Sequence, residues 1–152
     1  MLPLSSCVGQ RVEFFRVVVD RRASLKRMID DGRYDKVYPL VWTIHYRRLM
    51  GGRKEVEIAL VQFQHTFSPG EIKRLIKGYG YRPAYIEELL ALGRDHPDLQ
   101  QRNPIGAIGS GVIVKGRRHV VCLYGSQTSR ELGTQVIYRR WSPYYRFAFV
   151  QE

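Results

Sequence analysis

The stretch Lys54 to Phe67 constrains this chain more than any other. Val56, Ile58 and Leu60 alternate with Ala59, Val61 and Phe63, so a strand here is apolar on both of its faces. Such a strand is stable only when both faces are covered, which makes it a central strand between two layers. Gln62, Gln64 and Thr66 then return one face to solvent or to a polar site. The chain has 152 residues, enough to supply two covering layers within one domain.

The flanking segments supply that material. Val12 to Val19 is rich in β-branched and aromatic residues and reads as a strand. Ser24 to Gly32 places Leu25, Met28 and Ile29 at helical spacing, with Gly32 where a glycine ends a helix by taking positive φ. Ser68-Pro69-Gly70-Glu71 is a helix start, with a capping Ser, a Pro at the first helical position and a Glu where a capping box has one. That helix carries Ile72, Leu75 and Ile76 and ends at Gly78. A second helix runs from about Ala84 through Gly93, burying Ile86, Leu89, Leu90 and Leu92, and Asp95-His96-Pro97-Asp98 breaks it.

Beyond Pro104 the pattern becomes strands and turns: Ile105 to Val114, a tight turn at Lys115-Gly116, and Arg117 to Tyr124. A polar loop follows from Gly125 to Gly133, then a strand pair, Thr134 to Trp141 and Tyr144 to Gln151, joined across Ser142-Pro143. Gly106, Gly109 and Gly111 lie between strand residues and suit bulges or close backbone approach, not a phosphate loop, which needs a strand-to-helix turn. The order predicts an α+β protein with a mixed or antiparallel sheet and two to three short helices. It predicts one domain over 1–152, with sub-layers at 1–78 (βαβα) and 79–152 (helix plus β-meander).

Apolar residues make up 44% and charged residues 26%, which argues against disorder. No apolar run approaches the ~20 residues of a membrane-spanning helix. Leu4-Ser5-Ser6-Cys7 is superficially like a lipoprotein box, but no charged region and apolar stretch precede it, so no signal peptide is expected. Cys7 and Cys122 have no metal-ligand spacing, and two free thiols in the cytoplasm are the simpler expectation.

The surface character is more specific. The formal net charge is +11, with 19 Arg against 6 Lys. Residues 1–53 and 101–152 each carry +6 while 54–100 carry −1. Arg offers a planar fork suited to phosphate and carboxylate, so this is an anion-reading composition, unless it merely keeps the surface soluble. Arg117, Arg118, Tyr124, Arg130, Arg139 and Tyr144 mix cations with flat rings, as in single-stranded nucleic-acid grooves and in protein hot spots. Arg117, Arg130 and Arg139 are expected to be exposed, and Trp141, Phe147 and Phe149 to be core.

Catalytic and metal motifs are wanting. His45, His65, His96 and His119 have no pair at helical metal-binding spacing, and the serines have no nucleophile elbow. Glu55 and Glu57 share a strand face and Glu87-Glu88 adjoin on a helix. Paired carboxylates do acid–base work only when one is desolvated and raised in pKa, and solvated faces are expected for both pairs. No cofactor, metal or enzymatic activity is expected.

The segments Gly80 to Leu92 and Tyr144 to Val150 resemble elements of C-type-lectin-like modules of the formylglycine-generating-enzyme type, over about residues 79–150. An Arg-Pro pair introduces a helix with a Glu-Leu core, and an aromatic precedes Arg-Phe-Ala in the last strand. Ala84-Tyr85 stands where the family's helix cap lies. The calcium–sugar triplets and the paired catalytic cysteines are absent, so the resemblance implies a fold but no activity. The same Arg-Pro-Ala, Glu-Leu-Leu-Ala and Arg-Phe-Ala pieces also resemble an uncharacterised bacterial protein family.

The expected function is therefore a non-catalytic binding domain. It would recognise an anionic partner, nucleic acid or an acidic protein surface, through the Gly125–Gly133 loop and its neighbouring basic strands. The alternatives are a nucleic-acid-binding protein using both basic ends, an accessory subunit of a larger assembly, and an enzyme built around His65, His119 and a carboxylate.

Overall fold

A computed structural model describes residues 11–45, 51–137 and 141–152. Four helices and a mixed eight-stranded sheet make it an α+β protein. The strands are β1 (Arg11–Asp20), β2 (Lys36–Val37), β3 (Arg53–Gln62), β4 (Tyr81–Pro83), β5 (Ile105–Val114), β6 (Arg117–Gly125), β7 (Arg130–Val136) and β8 (Arg146–Gln151). The helices are α1 (Leu25–Asp31), α2 (Pro69–Lys77), α3 (Ile86–Asp95) and α4 (Leu99–Arg102), and a 3-10 turn spans Pro39–Thr43.

The sheet runs β1-β3-β8-β5-β6-β7-β2. β8 is its hub: β3 pairs along it, while β5 pairs with its start in parallel and β4 with its end. Strands from both halves of the chain thus interleave in one sheet. Among the described residues no β7–β8 hairpin forms, contrary to expectation: β7 pairs with β6, and β8 inserts between β3 and β5. The expected polar loop is also shorter, because β7 begins at Arg130.

Both faces of β3 are covered, as its doubled pattern requires. One core joins Ile58, Leu60, Ala148 and Val150 to Ile86, Leu89 and Leu90 of α3 and Ile29 of α1. The other joins Ala59, Val61, Phe147 and Phe149 to Ile72 and Ile76 of α2 and to Trp141. Trp141 stands edge-on to Phe147, centroids 5.3 Å apart at 84°, the arrangement ring quadrupoles favour.

Both capped helices start where their side chains dictate: Ser24 Oγ accepts from Arg27 N–H and Ser68 Oγ from Glu71 N–H. Gly32 departs from its expected role, since its φ is −76° and Arg33 takes the positive φ instead. A side chain at position 32 would strike the Tyr34 ring, so the glycine makes room for packing. Lys115 and Gly116 both have positive φ and close the β5–β6 hairpin. A bulge between Ala107 and Gly111 turns Ser110 inward, where its Oγ accepts from Ile86 N–H at the head of α3. Among the described residues no helix is long and apolar enough to cross a membrane.

Candidate functional site

β6 separates the expected recognition residues instead of gathering them. Arg117 and Arg118 lie at its start, beside the hairpin turn, and Tyr124 at its end, roughly 24 Å further along at strand rise. Tyr144, 57% exposed, is in the turn before β8, near the start of β5, through an Asn103 amide bond to its carbonyl. Arg139 lies outside the described residues, as does Cys7.

Arg130 faces inward, not outward. Its Nε donates to the carbonyl of Pro97, one terminal nitrogen to those of Gly32 and Arg33, and the other to Gly93 O and Gln100 Oε1. The guanidinium also lies over the Tyr34 ring, 4.8 Å from its centroid. Burial pushes the Tyr34 phenol up to about 12, partly offset by the Arg130 charge. The fork thus ties β7 to the ends of α1 and α3, and no donor is left for a ligand. Arg146 is also internal at 4% exposure, donating to Leu99 O, and burial lowers its pKa. Sequence pattern offers no signal for these roles, because the acceptors are main-chain carbonyls from distant segments.

Tyr124 lines an open cleft of about 650 Å³ with Tyr38, Pro39 and Leu40. Its phenol donates to the Thr134 carbonyl, 3.1 Å away. Gly133 lies beneath Tyr38 and Tyr124, where a Cβ would come within 2.9 Å of the Tyr38 ring.

A group of cations without ion pairs among the described residues lies at the other end of this face. α2 buries Ile72 and Ile76 and exposes Lys73, Arg74 and Lys77. Lys73 lies near Arg118; partial burial and then the Arg118 charge lower its pKa. Arg118 also donates to Ile108 O at 2.9 Å. None of Lys73, Arg74, Lys77, Lys115, Arg117 and Arg118 forms an ion pair among the described residues. On the opposite face, Lys26, Arg27 and Arg102 each pair with an aspartate four residues away.

Glu87 and Glu88 overturn the solvated-face expectation, being 5% and 0% exposed. Glu88 is fully used: both its oxygens meet Arg82, at 2.9 and 2.8 Å, and Oε1 also accepts from Tyr85 N–H. Glu87 Oε2 is buried with no hydrogen-bond partner. Burial raises the Glu87 pKa, its own backbone N–H offsets part of that, and the Glu88 charge adds to the rise. An unmet buried acceptor of this kind costs about 1–3 kcal/mol. The Glu55–Glu57 pair is different: Glu55 faces Arg16 across 3.3 Å at the surface.

The Cys122 thiol is free, and burial pushes it up to about 12, which leaves it inert as a nucleophile. His96 packs against Phe15, ring centroids 4.7 Å apart. Among the described residues no three His, Cys, Asp or Glu side chains gather into a cation site.

No protein-family model, curated protein or solved structure matches the chain.

Proposed function

We propose that this chain is a non-catalytic, cytoplasmic binding module that takes an anionic macromolecule on the sheet face bearing α2 and the start of β6. One observation carries the reading: α2 exposes Lys73, Arg74 and Lys77 within electrostatic reach of Arg118 from the β5–β6 hairpin, and among the described residues none of these four forms an ion pair. Holding like charges together costs free energy in the isolated chain, and a polyanion removes that cost. Arg118, Lys73, Arg74 and Lys77 supply the charge on this face, Arg117 falling on the other face of β6 by strand alternation, and Tyr124, on the same face as Arg118, offers a flat contact further along. The lectin-like resemblance of residues 79–150 belongs to the proposal as its fold-level part.

The test is fluorescence anisotropy with a labelled single-stranded oligonucleotide and with labelled polyglutamate, from low to moderate salt. Binding is expected to weaken by about 0.7 log unit per phosphate neutralised for each tenfold rise in salt, for the oligonucleotide. Lys73→Glu with Arg118→Glu is expected to weaken it about tenfold or more. Failure to bind either polymer at low salt, or affinity indifferent to the double reversal, overturns the reading.

A further inference from the structure

The open cleft beside Tyr124 combines flat rings with a carboxylate. Tyr38, Pro39, Leu40 and Tyr124 form its apolar wall, and Glu131, Thr134 and Gln135 its polar one. Glu131 stands opposite Tyr124 in the β6–β7 register, and Gly133 and Gln135 follow at two-residue steps, so all four share one face of the sheet. Gly133 lets the rings settle onto that face, since a Cβ there would come within 2.9 Å of Tyr38 and 3.4 Å of Tyr124. Both rings are held in place. The Tyr38 hydroxyl donates to Glu131 Oε1 at 3.2 Å, Lys36 Nζ lies 4.3 Å from the Tyr38 ring centroid, and the Tyr124 hydroxyl donates to Thr134 O. Trp42, 46% exposed, follows Pro39 by one turn of the 3-10 segment, which sets the two on the same side.

Two polar atoms at this cleft are unspent. Among the described residues Glu131 forms no ion pair, and its Oε2 accepts no hydrogen bond and is not sealed from solvent. Lys36, its neighbour across the β2–β7 ladder, sits over the Tyr38 ring and outside ion-pair distance of the carboxylate. The exposed Trp42 indole N–H has no acceptor.

We propose that this cleft takes a proline-rich, arginine-bearing segment of a partner protein in the polyproline II conformation. Such a helix has no internal hydrogen bonds, so its carbonyls need donors, and Trp42 N–H supplies one. Its prolyl rings pack on the tyrosine and Trp42 faces, and because the helix is already formed in the free segment little ordering is needed. The charge of the cleft selects the basic residue: an arginine fork meets Glu131 Oε2. A volume of about 650 Å³, open along one side, suits an elongated ligand of this kind.

The experiment is fluorescence anisotropy of the full chain with three labelled peptides: hexaproline ending in arginine, hexaproline ending in glutamate, and a Gly-Ser hexapeptide ending in arginine. The first is expected to saturate and to shift the emission of Trp42, since Trp141 is buried. The other two are expected to bind at least about tenfold more weakly. Glu131→Gln, which keeps an acceptor for Tyr38, is expected to cost the arginine peptide about tenfold and the glutamate peptide nothing. Tyr38→Ala is expected to abolish binding of both proline peptides. Equal binding of the Gly-Ser peptide, affinity indifferent to Glu131→Gln, or no saturation below about 1 mM overturns the proposal. So does a Trp42 emission that changes with protein concentration alone, which assigns the cleft to a second copy of the chain. Lys73→Glu with Arg118→Glu is expected to leave the peptide affinity within about threefold, because those charges lie beyond a screening length, so this site and the polyanion face fail separately.

Discussion

Arg118 and Arg130, on neighbouring strands, meet opposite fates. Arg130 stands where the ends of α1 and α3 leave carbonyls without helical partners, and its fork satisfies them. Arg118 stands beside a two-residue turn and the flank of α2, where a single carbonyl takes one of its donors and Lys73 is its charged neighbour. The difference lies in the supply of acceptors. Where helix ends converge, a guanidinium becomes part of the framework; where a hairpin projects past a helix flank, its charge faces solvent. The charge available for recognition is therefore smaller than the net charge.

The most severe test of this contrast is Arg130→Ala, expected to cost about 4 kcal/mol by urea denaturation, since it strands several buried acceptors at once. Arg130→Lys should recover little, because an ammonium cannot span the same carbonyls. A loss below about 1 kcal/mol would reduce Arg130 to an ordinary surface residue. The adjacent glutamates should then move in opposite directions. Glu88→Gln, which leaves Arg82 without its bidentate partner, is expected to lower stability by about 2–3 kcal/mol. Glu87→Gln is expected to raise it by about 1 kcal/mol at neutral pH.

The pH dependence at Glu87 follows from the sign of its shift. Its folded pKa is raised, so the stability it contributes is full below its unfolded value and is lost as pH rises through the folded one. The melting-temperature advantage of Glu87→Gln should accordingly widen from about pH 4.5 upward. A gap that stays flat or narrows would mean that the carboxylate is satisfied after all. The smallest effect on stability is expected for Lys73→Glu with Arg118→Glu, within about 0.5 kcal/mol by the same denaturation, although polyanion binding is weakened.

Local chemistry was legible in the chain wherever cause and effect are neighbours. Ser68-Pro69-Gly70-Glu71 placed α2, Lys115-Gly116 placed a hairpin, and the glycines of β5 marked its bulge. The burial of Trp141, Phe147 and Phe149 followed from the same alternation. The one-turn helix α4 was missed because Leu99–Arg102 is too short to show a period. The β7–β8 pairing was misjudged because adjacency in sequence favours a hairpin, whereas the apolar faces of β8 demanded the centre of the sheet. Glu87 was misplaced because a carboxylate in a first helical turn usually suits the helix dipole at the surface.

By itself the amino-acid order determined the class of fold, the two-sided burial of β3 and the excess of guanidinium over carboxylate. Those properties depend on residue type and near-neighbour spacing. Which arginines are consumed by carbonyls, which lie beside another cation, and which carboxylate is enclosed without a donor were decided only in three dimensions. Hydrogen bonds and desolvation act over a few ångströms, and the groups that supply or deny a partner come from segments that only folding brings together.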